Sequence, residues 1–297
     1  DFLGYIIAAI QGLKKDFGHS TIELLNSPNQ TSSESIVNLL INDILKIKKD
    51  FWLILDDFHL INNIEISNTV AYLLEYIPEN VHFAIITRSD PVLPLARIRS
   101  QNQLIEIRST DLSFSTNEIS ELFNKKLKIN LADKDIHDLE SKTEGWIAGL
   151  QLTALSIQSS ENISDFINNL KGDNRYIMDY LIEEVLKIQS EDTKEFLLQT
   201  SILEQFSAPL CNVVLNRNDS QIILELLEKG NMFIIPLDNE RVWYRYHHLF
   251  AELLRQRLQF KGQDKIEELH KNACNWFERN KMYNHAIEHA LKINDYE

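Results

Sequence analysis

Several absences narrow this sequence before any of its motifs are read. It contains no glycine-rich phosphate loop of the form GxxxxGK[ST], the loop that supplies most phosphate contacts in the nucleotide hydrolases that carry it. Glycine is sparse at 8 residues and proline at 6, which favours long helices over loops and tight turns. Cys211 and Cys274 are the only cysteines. Two thiols so far apart form neither a zinc pattern nor a disulfide framework, and they read as reduced, core-type residues. No apolar stretch approaches the roughly 20 residues of a membrane span. The opening DFLGYIIAAIQGL has no basic leader and no cleavage-like site. A cytoplasmic chain with no membrane partner is therefore expected. Positive charge is also short, with 30 Lys and Arg against 44 Asp and Glu and a formal net charge of −14. Such a chain is not built to hold a phosphate backbone over a broad surface, so any contact with DNA is expected outside it.

What is present has the length for roughly two domains, and 44% hydrophobic against 25% charged residues is ordinary for a globular protein. Residues 1–17 read as a buried helix with Phe2, Ile6, Ile10 and Leu13 near one face. The polar stretch SPNQTSSES (27–35) is a loop, and Ser33 or Glu34 opens the next helix. Three β-rich runs follow: FWLILD (51–56), HFAIIT (82–87) and QLIEIR (103–108). A helical segment lies between the first two, and strand, helix, strand at this spacing is the sign of a parallel sheet with crossover helices. The first two runs do not alternate, as expected of strands covered on both faces. After about residue 112 the period becomes helical, with segments near 133–143, 146–159, 163–170, 173–189, 191–200 and 219–229. MFIIPLDNERVWYRY reads as a hairpin around Asp238-Asn239, with the helix HHLFAELLRQRLQ directly after it, which suggests a winged helix. The last segments form a helix pair the size of one tetratricopeptide-type unit. One such unit does not bury its own face, and the chain opens without Met inside a packed element, so a piece of a longer protein is expected.

Asp56 and Asp57 at the end of FWLILDDFHLI carry the chemistry. In P-loop hydrolases an apolar strand ends in an acid that holds Mg²⁺, and a second acid beside it positions or deprotonates the attacking water. The C-terminal edge of the sheet is where such folds bind ligands. The bland alternative is a strand end with a capping aspartate. Thr87 and Arg88 end the adjacent strand, where a basic residue can sense a terminal phosphate.

LILDDFHLI, ITRSDPVLPLARIR, LSFSTNEISELF, KTEGWIAGLQLTALSI and WYRYHHLFAELLRQRL occur in this order along the whole chain. In this respect it resembles the MalT-like large ATP-binding regulators of the LuxR class, which are signal-transduction ATPases with numerous domains. The resemblance implies a slice lacking the phosphate loop and the C-terminal helix-turn-helix. Its fold would be an incomplete α/β nucleotide-binding core (1–112), a helical domain (113–170), a winged helix (171–260) and the start of a tetratricopeptide-like sensor arm (261–297). It implies Asp56 as the Mg²⁺ acid, Asp57 as its catalytic neighbour and Arg88 as the sensor. Leu150 and Gln151 fall in the nucleotide-facing turn, Gln151 standing where relatives outside this class carry proline. His247 matches the histidine that reaches a phosphate of ADP, and the sequence leaves open whether it or His248 faces the site. ADP would hold a closed monomer by bridging core and winged helix. ATP plus a small-molecule inducer, bound mostly outside these residues, would promote self-association and transcription. Hydrolysis would be weak and regulatory, and DNA would be met only through the helix-turn-helix. The alternatives are the same switch driving a different effector, or a helical interaction module with a decayed ATPase site.

Overall fold

The computed structural model describes residues 2–27, 32–61, 63–157, 162–170, 172 and 174–293. These form two compact units, residues 1–106 and 107–297.

The first unit opens with α1 (Phe2–Gln11) and α2 (His19–Leu25). The opening helix is shorter than expected. It ends at Gln11, and Leu13 is exposed, while Ile6, Ile7 and Ile10 are buried. α3 (Ser33–Ile44) is capped by Ser32, whose hydroxyl accepts from the Ser35 N–H at 3.3 Å. The rest of the predicted 27–35 loop falls largely outside the described residues. β1 (Phe51–Leu55), α4 (Ile64–Tyr76) and β2 (Val81–Ile85) form the expected crossover unit. The strands pair in parallel, Phe51 opposite Val81 through Leu55 opposite Ile85. Phe51 and Leu53 point into a core with Ile7, Leu40 and Leu73, whereas Trp52 and Ile54 on the other face are exposed. Burial of both faces of β1, expected from its continuous apolar run, is met on one face only. α5 (Leu95–Ser100) was not anticipated.

The run QLIEIR is not a strand. Residues 103–108 have no ladder partner among the described residues, and Ile105 and Ile107 are exposed. β-branched composition favours a strand only where a neighbour supplies hydrogen bonds and a packed face, and this run has neither.

The second unit is helical apart from one hairpin. After α6 (Ser109–Leu112), α7 (Thr116–Ser120) starts at a capping box in which Glu118 N–H donates to Ser115 Oγ and Ser115 N–H donates to Glu118 Oε2. The sequence Ser-Thr-Asn-Glu carries that signal. α8 (Asp133–Thr143), α9 (Ile147–Ile157), α10 (Ile163–Asn168), α11 (Arg175–Leu181) and α12 (Glu191–Thr200) follow. α7 and α11 each run on into a wide turn, Glu121–Lys126 and Ile182–Leu186. Then come α13 (Ala208–Leu215), α14 (Ser220–Lys229), β3 (Ile234–Pro236), β4 (Tyr244–Tyr246) and α15 (His248–Gln259). β3 and β4 pair antiparallel around the predicted turn, where the Asp238 carboxylate accepts from the Val242 and Trp243 N–H groups. α16 (Gln263–Arg279) and α17 (Tyr283–Lys292) form the terminal helix pair. One buried cluster runs from Ile119 through Phe196, Phe206 and Leu254 to Ala273 and Ala286. The helix pair therefore shares the core of the hairpin region, with Trp276 meeting Trp243 edge-on at 6.2 Å.

Candidate functional site

The predicted site residues fall at two places. At the first, β1 ends at Leu55 and the chain turns at once. The Ile86 N–H donates to Leu55 O at 2.9 Å and the Phe58 N–H donates to Ile86 O at 3.0 Å, so the turn is tied to the end of β2. Phe58 is buried and anchors it. Between these fixed points Asp56 and Asp57 are exposed at the C-terminal edge of the sheet. Asp56 Oδ1 accepts from the Asp57 N–H at 2.9 Å, and Asp57 is left-handed at φ 50°. A non-glycine residue there is uncommon, Asp and Asn being the usual exceptions.

The sequence reading missed His59. Its Nδ1 accepts from the Arg88 N–H at 3.4 Å, which places its ring proton on Nε2, and lies 3.9 Å from Asp57 Oδ1. His59 thus links Asp57 to the backbone of Arg88, whose side chain is exposed. Thr87 Oγ1 donates to Ser89 O at 2.7 Å. The only sequence signal for His59 was its place two residues beyond the acids, within a 3₁₀ turn (Phe58–Leu60) that composition does not announce.

No cluster of three or more His, Cys, Asp or Glu able to hold a metal occurs among the described residues. The Asp56–Asp57 pair offers hard carboxylate oxygens. Mg²⁺ characteristically takes one or two carboxylates, keeps several waters and adds substrate phosphates. The donor set therefore fits Mg²⁺ arriving with a nucleotide and does not fit a self-contained metal cage.

The second place is the turn between α8 and α9. Glu144 and Gly145 are both left-handed, at φ 49° and 71°. A Cβ on Gly145 would lie 2.5 Å from Phe114 O and 2.7 Å from Phe114 N, so only glycine fits. The turn meets β4 and the start of α15 through three groups. His247 Nε2 donates to Thr143 O at 2.9 Å, Arg245 grips the Glu144 carboxylate through two hydrogen bonds of 2.8 and 2.7 Å, and the His248 N–H donates to Glu144 Oε1 at 2.9 Å. Burial opposes ionisation of Glu144, but Arg245, His247 and the His248 N–H outweigh it and hold the carboxyl below its usual range. His247 is 7% exposed, its ring 5.9 Å from that of Trp146 and 5.6 Å from that of Phe233. Burial pushes its pKa below the ordinary histidine value against the pull of Glu144. Its Nδ1 is buried without a hydrogen-bond partner. An unpaired buried polar atom typically costs about 1–3 kcal/mol.

Of the two histidines, His247 is thus the enclosed one. His248 is exposed, with Nε2 3.5 Å from Glu252 Oε1. Trp146 packs on Tyr180 and Phe233. Leu150 is a fully buried core residue and Gln151 is exposed. The leucines of α15 are buried and Arg255 Nε donates to Ser201 O, so this face of the helix is used for packing.

Residues 182–266 match the family model of the MalT winged helix domain. The chain is 30% identical over 297 residues to the HTH-type transcriptional regulator MalT of Vibrio parahaemolyticus, covering 99% of this chain and 33% of that protein. It is 31% identical over 296 residues to the protein of the same name from Klebsiella pneumoniae, again 99% and 33%. Along its length the chain is similar to MalT. It is also 27% identical over 294 residues to the serine/threonine-protein kinase PknK of Mycobacterium tuberculosis, covering 99% of this chain and 26% of the kinase. It thus spans about a third of the length of the MalT relatives. β3, β4, Arg245, His247 and His248 lie inside the matched MalT winged helix domain; Glu144 and the acid pair lie outside it. No helix among the described residues is long and apolar enough to cross a membrane.

Proposed function

We propose that this chain is the nucleotide-responsive part of a transcription regulator of the MalT type. ADP holds an inactive monomer; ATP plus inducer promotes self-association and activation. The observation that carries this is the meeting of Asp56, Asp57, His59 and the Arg88 backbone at the C-terminal edge of β1 and β2, in a chain related along its length to MalT. Such a switch works only if nucleotide and inducer bind its two states with different affinity.

In this reading Asp56 would hold Mg²⁺, which would supply charge neutralisation to the phosphates. Asp57 accepts the proton of the attacking water or orients it, and His59 keeps the turn that carries Asp57 beside Arg88. Arg88 pairs with a terminal phosphate. His247 offers one ring nitrogen to a phosphate. That nitrogen has no exposed surface, so the side chains over it must shift before a phosphate reaches it.

The test is single-turnover ATP hydrolysis and inducer-free reporter transcription by the full-length protein. Asp56→Ala is expected to abolish Mg²⁺-dependent turnover and Asp57→Asn to slow it by about a hundredfold or more. Normal turnover in both variants would make the pair a strand cap. A second reading is favoured by the relation to a protein kinase: the same switch drives an effector other than transcription. Reading the output domain encoded in the full-length gene separates the two.

A further inference from the structure

The hydrogen bond between His247 Nε2 and Thr143 O fixes more than a ring position. A carbonyl oxygen only accepts, so Nε2 carries the proton. In the neutral ring Nδ1 is then a bare acceptor, and it is the nitrogen left without a partner inside the protein. A bare nitrogen lone pair repels a phosphate oxygen. A phosphate bonds this histidine at Nδ1 only once a second proton is there.

From this geometry we infer that phosphate binding at His247 takes up one proton, and that Glu144 is the positioning residue that makes the resulting imidazolium tolerable. The inference rests on the nucleotide reading above. The charged and titratable groups facing His247 are Glu144 from the α8–α9 turn, Arg245 from β4 and His248 from the start of α15. Glu144 and, after it, the Thr143 carbonyl favour a positive ring, while Arg245 and His248 oppose it. Glu144 also receives Arg245 and the His248 N–H, so one carboxylate sets both the place and the charge of the histidine. Burial lowers the affinity of the empty ring for a proton, so the free protein holds His247 neutral near pH 7. A bound phosphate supplies the charge that reverses this. The proton balance is simple: one proton passes from solvent to Nδ1 on binding and returns on release.

The experiment is ADP titration of the full-length protein by calorimetry in buffers of differing ionisation enthalpy, repeated between about pH 7.5 and 9, where a free phosphate (second pKa about 6) is already ionised. Uptake close to one proton is expected, with affinity falling toward tenfold per pH unit between the pKa of the free histidine and that of the complex. His247→Gln keeps an N–H for Thr143 O but cannot take a proton, and it should show a flat profile. Glu144→Gln keeps an acceptor for the His248 N–H while removing the charge. It should weaken ADP binding at high pH and recover much of the loss as the pH is lowered, which a purely structural defect would not do. ADP binding that depends on His247 without proton uptake would overturn the inference and leave the nucleotide reading intact, with Nδ1 accepting from a ligand hydroxyl or amine. ADP affinity unchanged in His247→Gln would overturn the inference and the phosphate role of His247, whereas no ADP binding by the unaltered protein would overturn the nucleotide reading.

Discussion

The end of β1 and the turn after α8 carry acids in opposite ways. Asp56 and Asp57 stand exposed, one hydrogen-bonded to the backbone of the other, with His59 at 3.9 Å. Glu144 is spoken for by two hydrogen bonds from Arg245 and one from the His248 backbone, beside a buried histidine. The first arrangement leaves charge available to something that arrives from solution. The second spends its charge on the protein and leaves a single nitrogen, His247 Nδ1, unsatisfied. Substitutions at the two places should therefore fail differently, at the first mainly in chemistry and at the second in chemistry and stability together.

The largest stability effect is expected inside the second unit. Leu150 follows that turn and is fully buried. Leu150→Ala should cost about 2–5 kcal/mol through lost burial and the cavity left behind, whereas Gln151→Ala, on the exposed neighbour, should stay within about 0.5 kcal/mol. Urea unfolding measures both. A small loss at Leu150 would mean that this residue serves a ligand more than the core. Gly145→Ala comes next, at about 2–4 kcal/mol, because it combines a left-handed backbone with a collision against the backbone of Phe114.

A pH effect follows within the same unit. His270 and His289, on α16 and α17, share a hydrogen bond between their Nδ1 atoms at 2.7 Å. Burial pushes both down to about 4, with nearby Lys292 adding to the effect on each. The unfolded chain takes up these protons near the ordinary histidine value of about 6.5 and the folded chain does not. Their contribution is therefore complete above about pH 6.5 and is lost as the pH falls toward 4, at up to about 1.4 kcal/mol per pH unit for each ring that stays neutral, less where solvent reaches it. Stability measured against pH should steepen over that window, and His289→Phe should flatten it. An unchanged slope would remove the pair as the cause.

How much was readable in advance follows the same division. FWLILD and HFAIIT are strands because local composition, length and an intervening helix agree, and the acids at their edge were legible as a motif. QLIEIR has the same composition and failed for want of a neighbour, which no local pattern reveals. α13 lies in SAPLCNVVL, between the helical segments that the sequence pattern announces. Pro209 sits in the first turn, where its missing N–H costs nothing, and Asn216 closes the helix in the left-handed region. The hairpin and its following helix were legible from turn residues and period. Glu144 was not, because its partners lie 101 and 104 residues away. His247 was found through resemblance, while its tautomer and its bare nitrogen belong to three dimensions alone.

The smallest stability effect should accompany one of the largest functional ones, at Asp57. Its side chain is exposed and its backbone is left-handed at φ 50°. Asparagine tolerates that region nearly as well as aspartate, and an exposed carboxylate 3.9 Å from its histidine neighbour contributes little. Asp57→Asn should therefore shift stability by less than about 0.5 kcal/mol. Asp57→Ala has the same missing charge but a side chain that resists the left-handed region, and should cost about 1–2 kcal/mol. Hydrolysis separates charge from conformation. If Asp57 handles the attacking water, both variants lose turnover to a similar extent despite their different stabilities. If the aspartate only shapes the turn, asparagine retains turnover and alanine does not. Measuring unfolding and single-turnover hydrolysis on the same two proteins decides whether the exposed acids of β1 are there for chemistry or for the bend that follows the strand.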